Sequence, residues 1–275
     1  MTQKKNKATV LVITSGKGGV GKTTSTVSIG SALARAGKKT ILIDFDVGLR
    51  NLDLIMGLER RIFHNMIDVI EGRASLHQAI VQDKNSPNLS ILPTSQTKDK
   101  NALQNEGVSR IIDALREEYE WIICDSPAGI ESGAAHAMRH ADQAIIVTNP
   151  EISSVRDSDR IIGILDTQTI RAQQGLELPK SVLITRYNAR RARRKSDMLT
   201  IEDIQEVLGI PLIGIIPESQ TVLQSSNTGI PVPVRDPKSQ AAIAYTETAH
   251  RLLGQRIPVR EPTPPGLIAR ILGTD

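Results

Sequence analysis

The sequence predicts an α/β fold, a mainly parallel twisted sheet with helices on both faces, on three observations. Short continuous apolar, β-branched runs alternate with segments of helical periodicity, a pattern that belongs to strands buried on both sides and joined by crossover helices. A glycine-rich loop, Gly16-Lys17-Gly18-Gly19-Val20-Gly21-Lys22-Thr23, separates the first such run from the first helix. Two further runs end in carboxylates, at Asp44 and Asp125, and the ends of strands are where open α/β sheets place their ligands.

Residues 8–14 read as the first buried strand and residues 24–36 as the first helix. The loop between them satisfies G-x-x-x-x-G-K-[ST] at every fixed position, so the predicted fold is that of a P-loop NTPase. In such a loop the backbone of Gly18, Gly19, Val20 and Gly21 wraps phosphates, with Thr24 following on the helix N-terminus. Lys22 neutralises the β/γ-phosphates of a nucleotide such as ATP, and the Thr23 hydroxyl holds Mg²⁺. Further strands are expected at Thr40–Asp44, Leu89–Leu92, Trp121–Asp125, Gln143–Thr148, 181–185 and Leu212–Pro217. Helices are expected at 108–117, with Val108, Ile111, Ile112 and Leu115 on one face, at 153–169, at Ile201–Leu208 with Thr200 as cap, and at 239–253.

After Leu253 the composition changes, with Pro258, Pro262, Pro264 and Pro265 in quick succession. Residues 1–254 therefore read as one ATPase domain, 255–265 as an extended and poorly packed tether, and 266–275 as a tail. As a helix the tail places Leu267, Ile268, Ile271 and Leu272 on one face and Arg270 towards the other. That is the pattern of an interfacial membrane helix; the alternative is that the tail folds back on its own domain. With a single Arg and no aromatic, one tail should bind lipid weakly. Two tails on a dimer gain effective concentration.

The chain has 275 residues, a net charge of +4 and a sequence pI of about 9.2. This permits a phosphate-rich partner or an anionic membrane without requiring either. A single cysteine, Cys124, excludes a disulfide framework or a cysteine-rich metal site within the chain. It also argues against an iron–sulfur electron carrier. Aromatic residues make up 2% of the chain, too few for base-stacking platforms. No apolar run reaches the ~18 residues that span a bilayer, and the basic residues 1–7 lead into the first strand without a signal-peptide core. A cytoplasmic protein is expected.

The second strand continues into Asp44-Phe45-Asp46, beside the phosphate site. Such carboxylates are candidates for metal ligation or for orienting water, although Asp44 or Asp53 could equally hold the next segment's backbone. Trp121–Asp125 has the Walker B pattern, an apolar strand ending in the Asp that is expected to complete a Mg²⁺ shell with Thr23 through water, as such sites do. His136 and His140 stand one helical turn apart but lack the glutamate of H-E-x-x-H. The basic run at 190–195 reads as a solvated loop whose charge could meet acidic lipid or nucleic acid.

The loop as a whole, G-K-G-G-V-G-K-T-T, resembles the deviant Walker A ATPases, which include nitrogenase iron protein, ParA-type segregation proteins and the MinD family. Asp46-Val47-Gly48-Leu49-Arg50-Asn51-Leu52-Asp53, Cys124-Asp125-Ser126-Pro127-Ala128-Gly129-Ile130-Glu131 and Ser153-Ser154-Val155-Arg156-Asp157-Ser158-Asp159-Arg160 are similar to the MinD branch. The resemblance runs from residue 8 to residue 272. It implies that Lys17 reaches across a homodimer to the partner subunit's ATP, making nucleotide binding and dimerisation one event. By the same resemblance Asp46 positions the attacking water, Asn51 contacts phosphate or ribose, and the Gly129 N–H meets the γ-phosphate. Arg186, Asn188, Pro217 and Glu218 would surround adenine. Asp157 and Asp159 would form the docking surface for a MinC-like division inhibitor and a MinE-like ATPase activator. The tail would be the membrane-targeting helix. The implied function is a slow, partner-stimulated ATPase on the inner face of the cell membrane that controls septum placement. A ParA-like partitioner bound to DNA and a small-molecule phosphotransferase are the rivals.

Overall fold

The structure, a computed structural model, describes residues 8–98, 102–129, 132–192 and 198–263. Among the described residues eight strands form one sheet: β1 (Thr9–Thr14), β2 (Thr40–Asp44), β3 (Val81–Gln82), β4 (Leu89–Leu92), β5 (Trp121–Asp125), β6 (Gln143–Thr148), β7 (Lys180–Tyr187) and β8 (Leu212–Pro217). Their order is β3-β4-β2-β5-β1-β6-β7-β8, and every neighbouring pair is parallel except β3 with β4. The helices of eight residues or more are α1 (Lys22–Arg35), α2 (Asn105–Glu118), α3 (Ser132–Arg139), α4 (Ile152–Gln168), α5 (Ile201–Leu208), α6 (Gln220–Thr228) and α7 (Gln240–Leu252).

The near-continuous apolarity of β1 has a direct cause. Val10 and Val12 pack into a layer with Val108, Ile111, Ile112 and Leu115 of α2. Leu11 and Ile13, on the opposite face, join Val27, Ile29 and Leu33 of α1 and Tyr245 of α7. Alternate residues thus enter two separate cores, so the interior of the strand, residues 10–13, is apolar on both faces. The sheet order then sets the site. β1 lies between β5 and β6, with Ile13 opposite Asp125, and Asp44 on β2 stands opposite the same Asp125.

Helix ends follow local chemistry. Thr200 caps α5 in a reciprocal capping box with Asp203, and Gly209 closes it at φ 62°. Three of the named elements lacked a legible sequence signal, among them α6, whose nine residues are mostly polar. β3 is too short to display alternation, and α3 is built mostly from small residues that blur a helical stripe. β7 runs further than the predicted 181–185, from Lys180 to Tyr187, with Tyr187 opposite Pro217 at the end of β8.

The poorly packed tether requires correction. Residues 255–263 run along the body of the domain as a docked strap. Arg251 donates to the carbonyls of Ile257 (2.7 Å) and Pro258 (2.9 Å), and the Tyr187 hydroxyl donates to Glu261 (2.8 Å). Val259 packs against the core of Val182, Ile184, Tyr187 and Ile215. The prolines hold this segment extended, and extended backbone offers alternate side chains to one surface. The tail residues Leu267, Ile268, Arg270, Ile271 and Leu272 lie outside the described residues, as do residues 193–197 of the basic run. Among the described residues no helix is long and apolar enough to cross a membrane.

Candidate nucleotide site

The P-loop leaves β1 at Ser15 and enters α1 at Lys22. Gly19 and Gly21 adopt φ of 74° and 94°, conformations that glycine reaches without steric cost. At Gly19 a Cβ would meet nothing within 4 Å, so the requirement there is the backbone turn rather than space. Gly16 is the opposite case. A Cβ there would lie 2.2 Å from the carbonyl oxygen of Asp157, because the first turns of α4 press directly on the loop. The Val20 carbonyl is fixed from a third side by the Thr185 hydroxyl at 2.6 Å, and Thr185 also lies 2.9 Å from Asn149 Oδ1. Thr185 and Asn149 support the loop from β7 and β6. Nothing in their local sequence marks that role.

Lys22 is 8% exposed. Its ammonium folds back over the loop, 2.9 Å from Ser15 Oγ and 3.5 Å from the Lys17 carbonyl. Burial pulls its pKa below the usual lysine range, against the opposing pull of Asp125 and Asp46. A cation desolvated at a helix N-terminus, hydrogen-bonded to a hydroxyl and a carbonyl, is poised for anionic oxygens. The phosphate group expected there fits.

Asp125 is buried at the end of β5, where the Thr26 hydroxyl donates to Oδ1 at 2.8 Å and the Thr23 hydroxyl also hydrogen-bonds the carboxylate. Burial raises its pKa. Asp44, fully buried beside it, is raised by the same loss of water and by the charge of Asp125. Asp44 does not act as an open ligand: its oxygens accept the N–H groups of Asp46 (2.8 Å) and Leu52 (3.3 Å), so it shapes the loop that carries Asp46. Asp53 is taken up in a buried ion pair with Arg50 (2.7 Å), whose backbone sits at φ 48°. Asn51, half-buried, precedes the short helix Leu52–Ile55. The oxygens of Thr23 and Asp125, with the half-buried Asp46 close enough to act on both Asp125 and Lys22, make a hard donor set that fits Mg²⁺. A divalent cation there would also stabilise the ionised carboxylates.

Lys17 occupies a position that its sequence context does not reveal. Its ammonium is 2.8 Å from Glu151 Oε2 and 3.1 Å from Ser153 Oγ, both at the start of α4 and more than 130 residues away in the chain. The lysine expected to reach a partner is therefore held in cis within one chain. The hydrogen bond from Lys17 holds the Glu151 carboxyl below its usual range. Gly129, at φ 82°, likewise donates its N–H to the Ser15 carbonyl at 3.2 Å, so the group expected to meet a γ-phosphate here rests on the P-loop. Glu151 and Ser153 are functional candidates that sequence reasoning missed. A pairing across such a separation leaves no local trace.

A cleft of about 1200 Å³ opens beside the loop, lined by Val20, Gly21, Thr24, Arg186, Pro217 and Glu218. Arg186 is exposed on its wall with φ 52°. Asn188, expected beside adenine, is engaged within the chain. Its Nδ2 donates to Glu218 Oε2 (3.0 Å), and its Oδ1 accepts the N–H groups of Arg190 and Arg191. Asn188 thus holds Glu218 at the cleft and caps the turn behind it. On α4, Asp157 is half-buried within 4.0 Å of Arg160, and Asp159 is exposed. His140 meets the Ser109 hydroxyl at 3.0 Å, and Cys124 is sealed inside β5, its thiol pushed up to about 12 by burial.

The family described as the CobQ/CobB/MinD/ParA nucleotide binding domain matches residues 11–232. The septum site-determining protein MinD of Escherichia coli (strain K12) is 54% identical over 270 residues, covering 97% of this chain and 99% of that protein. Among solved structures, the MinC:MinD cell division protein complex of Aquifex aeolicus matches with a TM-score of 0.81 at 44% identity, covering 92% of this chain and 99% of that one. The septum site-determining protein MinD of Pyrococcus horikoshii OT3, complexed with Mg-ADP, matches with a TM-score of 0.79 at 30% identity, over 91% and 100% of the two chains. Likeness of this extent includes the loop, the strand-end carboxylates and the start of α4 together. The chain belongs to the septum site-determining MinD proteins of the CobQ/CobB/MinD/ParA nucleotide-binding family.

Proposed function

We propose that this protein is an ATPase switch that controls division-site placement. With ATP and Mg²⁺ it forms a homodimer on the inner face of the cell membrane and recruits a MinC-like division inhibitor. Hydrolysis stimulated by a MinE-like activator releases it. The observation that carries this reading is the division of labour between two lysines in one loop. Lys22 is buried in the phosphate cradle, while Lys17 stands outside it, in an exposed pair with Glu151.

In this reading the loop N–H groups and Lys22 hold the phosphates, and Thr23 and Asp125 hold the Mg²⁺, which supplies charge neutralisation for phosphoryl transfer to water. Asp46, on the loop shaped by Asp44, orients that water. Asn51 and the Gly129 N–H contribute from the two switch loops, and Arg186, Pro217 and Glu218 enclose the base. Lys17 exchanges Glu151 for the partner's nucleotide, so the dimer forms only when ATP is bound. Asp157 follows this change directly because its backbone abuts Gly16. A docking surface at Asp157 and Asp159 would therefore report the state of the loop. Near-full-length likeness to septum site-determining proteins favours this reading over a partitioner on DNA.

Two expected results test it. Asp46→Asn keeps ATP affinity within a few-fold and lowers hydrolysis by a factor on the order of 100 or more, the usual effect of removing a group that positions or deprotonates water. Loss of ATP binding to the same degree would assign Asp46 to the binding site instead. Deleting residues 267–275 removes ATP-dependent sedimentation with anionic liposomes and leaves nucleotide affinity intact. Burying the tail's four aliphatic residues incompletely yields only ~3–6 kcal/mol, and ordering so short a helix consumes much of it. Membrane binding should accordingly rise steeply with the dimer fraction. ATP-dependent binding to DNA without binding to lipid would replace this reading with the partition one.

A further inference from the structure

The strap at residues 255–263 carries its charges in an ordered way. Ile257 and Val259 are partly covered by the domain, whereas Arg256, Pro258 and Arg260 are exposed, so the alternation of an extended chain puts two arginines on its outer face. They stand about 13 Å apart for extended backbone, and among the described residues neither takes part in a salt bridge. The strap cannot drift. Arg251 binds the carbonyls of Ile257 and Pro258 while anchored to the Ile213 carbonyl (2.9 Å) and to Glu247 (2.9 Å), and the strap's own acid, Glu261, is engaged by Tyr187. At its far end Pro262 and Thr263 share a cavity of 620 Å³ with Asn188 and Arg190. Only Pro264, Pro265 and Gly266 then separate Thr263 from Leu267, the first aliphatic residue of the tail.

We propose that the strap is the charged half of a two-part contact with an anionic lipid surface, Arg256 and Arg260 meeting the headgroups of the bilayer that the tail enters. This rests on the membrane reading above and goes beyond it by assigning the headgroup contact to residues outside the tail. The physical need is clear. A single short apolar anchor binds membranes only marginally and is made stable by a second, basic signal. This tail contains one basic residue, Arg270, whereas the nine residues before Pro264 contain two arginines fixed on a folded surface. Because the domain already holds the strap's backbone, only the two side chains are left to order when they meet the bilayer, and the strap brings the start of the tail close to the interface. A nucleic-acid backbone would satisfy the arginines but offers nothing to four aliphatic side chains placed a few residues further on.

The test uses the full chain with ATP, and vesicles of phosphatidylglycerol mixed with phosphatidylcholine or of phosphatidylcholine alone. The doubly substituted R256Q/R260Q protein should bind anionic vesicles roughly 25-fold more weakly, about five-fold per arginine, corresponding to ~1 kcal/mol each near a charged surface. Its binding should also depend less on salt. The R256K/R260K protein should stay within about two-fold of the parent, and both should keep the parental dimer fraction and thermal stability. Undiminished vesicle binding by R256Q/R260Q, with the parent binding normally, would overturn the assignment and leave the membrane reading standing. Loss of duplex-DNA binding by R256Q/R260Q with vesicle binding unchanged would overturn it in favour of nucleic acid. Failure of the parent to bind vesicles of either composition would defeat the membrane reading itself.

Discussion

Lys17→Ala is expected to abolish ATP-dependent dimerisation while leaving the fold and most of the nucleotide affinity in place. Its ammonium lies in an ion pair whose side chains are 39% and 55% exposed, and such pairs contribute about 0–1 kcal/mol to stability. Removing it therefore should not unfold the protein, and a loss of dimer could not be blamed on instability. ATP affinity should change by no more than a few-fold, because the buried Lys22 remains in the cradle. Light scattering with ATP and Mg²⁺ should show monomer only, and hydrolysis should fall with it. A dimer fraction equal to that of the parent would show that Lys17 serves α4 within its own chain and nothing beyond it. The cis pair with Glu151 also implies a threshold. In the proposed switch the lysine would have to exchange one carboxylate for the partner's phosphates, a stronger set of acceptors.

Gly16→Ala should be far more damaging than its one added methyl suggests. The new Cβ would lie 2.2 Å from the Asp157 carbonyl oxygen and 2.5 Å from the Asp157 Cβ. These are backbone and near-backbone atoms of a 17-residue helix, so no flexible side chain can give way. Either the loop or the start of α4 must shift, at a cost on the order of 3 kcal/mol or more. The shift would move the Lys17 carbonyl away from Lys22 and separate Lys17 from Glu151. A melting temperature lowered by several degrees and a nucleotide affinity reduced by a factor on the order of 100 are expected, by thermal unfolding and titration calorimetry. Gly19→Ala supplies the contrast, since a Cβ there meets nothing and the cost is the ~1–2 kcal/mol of left-handed backbone. Parental stability for Gly16→Ala would mean that loop and helix are not in firm contact.

The fold was legible because its signals are local. Strands buried on both sides must be apolar throughout, and β1, β2, β5 and β6 each announce themselves in five or six residues. Lys22 and Thr23, at the start of α1, and Asp125, at the end of β5, were legible for a related reason: each falls at a fixed place in a short motif. The two-residue β3, the small-residue α3 and the mostly polar α6 were not legible, since none is long or contrasted enough to show a period. The strap was misread because proline fixes an extended backbone without saying whether that backbone is solvated. Its docking depends on Arg251 and Tyr187, residues whose relation to the strap exists only after folding.

The sequence by itself determined the sheet, the glycine-rich loop, the carboxylate at the end of β5 and the presence of a second lysine. Each of these follows from residue type and short-range spacing, which the chain carries whether folded or not. Only the tertiary structure decided what the second lysine does in a single chain, that Asp44 shapes a loop rather than meeting a ligand, that Asn188 braces Glu218, and that Gly16 admits no side chain. All four depend on distances between residues remote in sequence. Such distances are set when β1 is placed between β5 and β6 and α4 is packed against the loop.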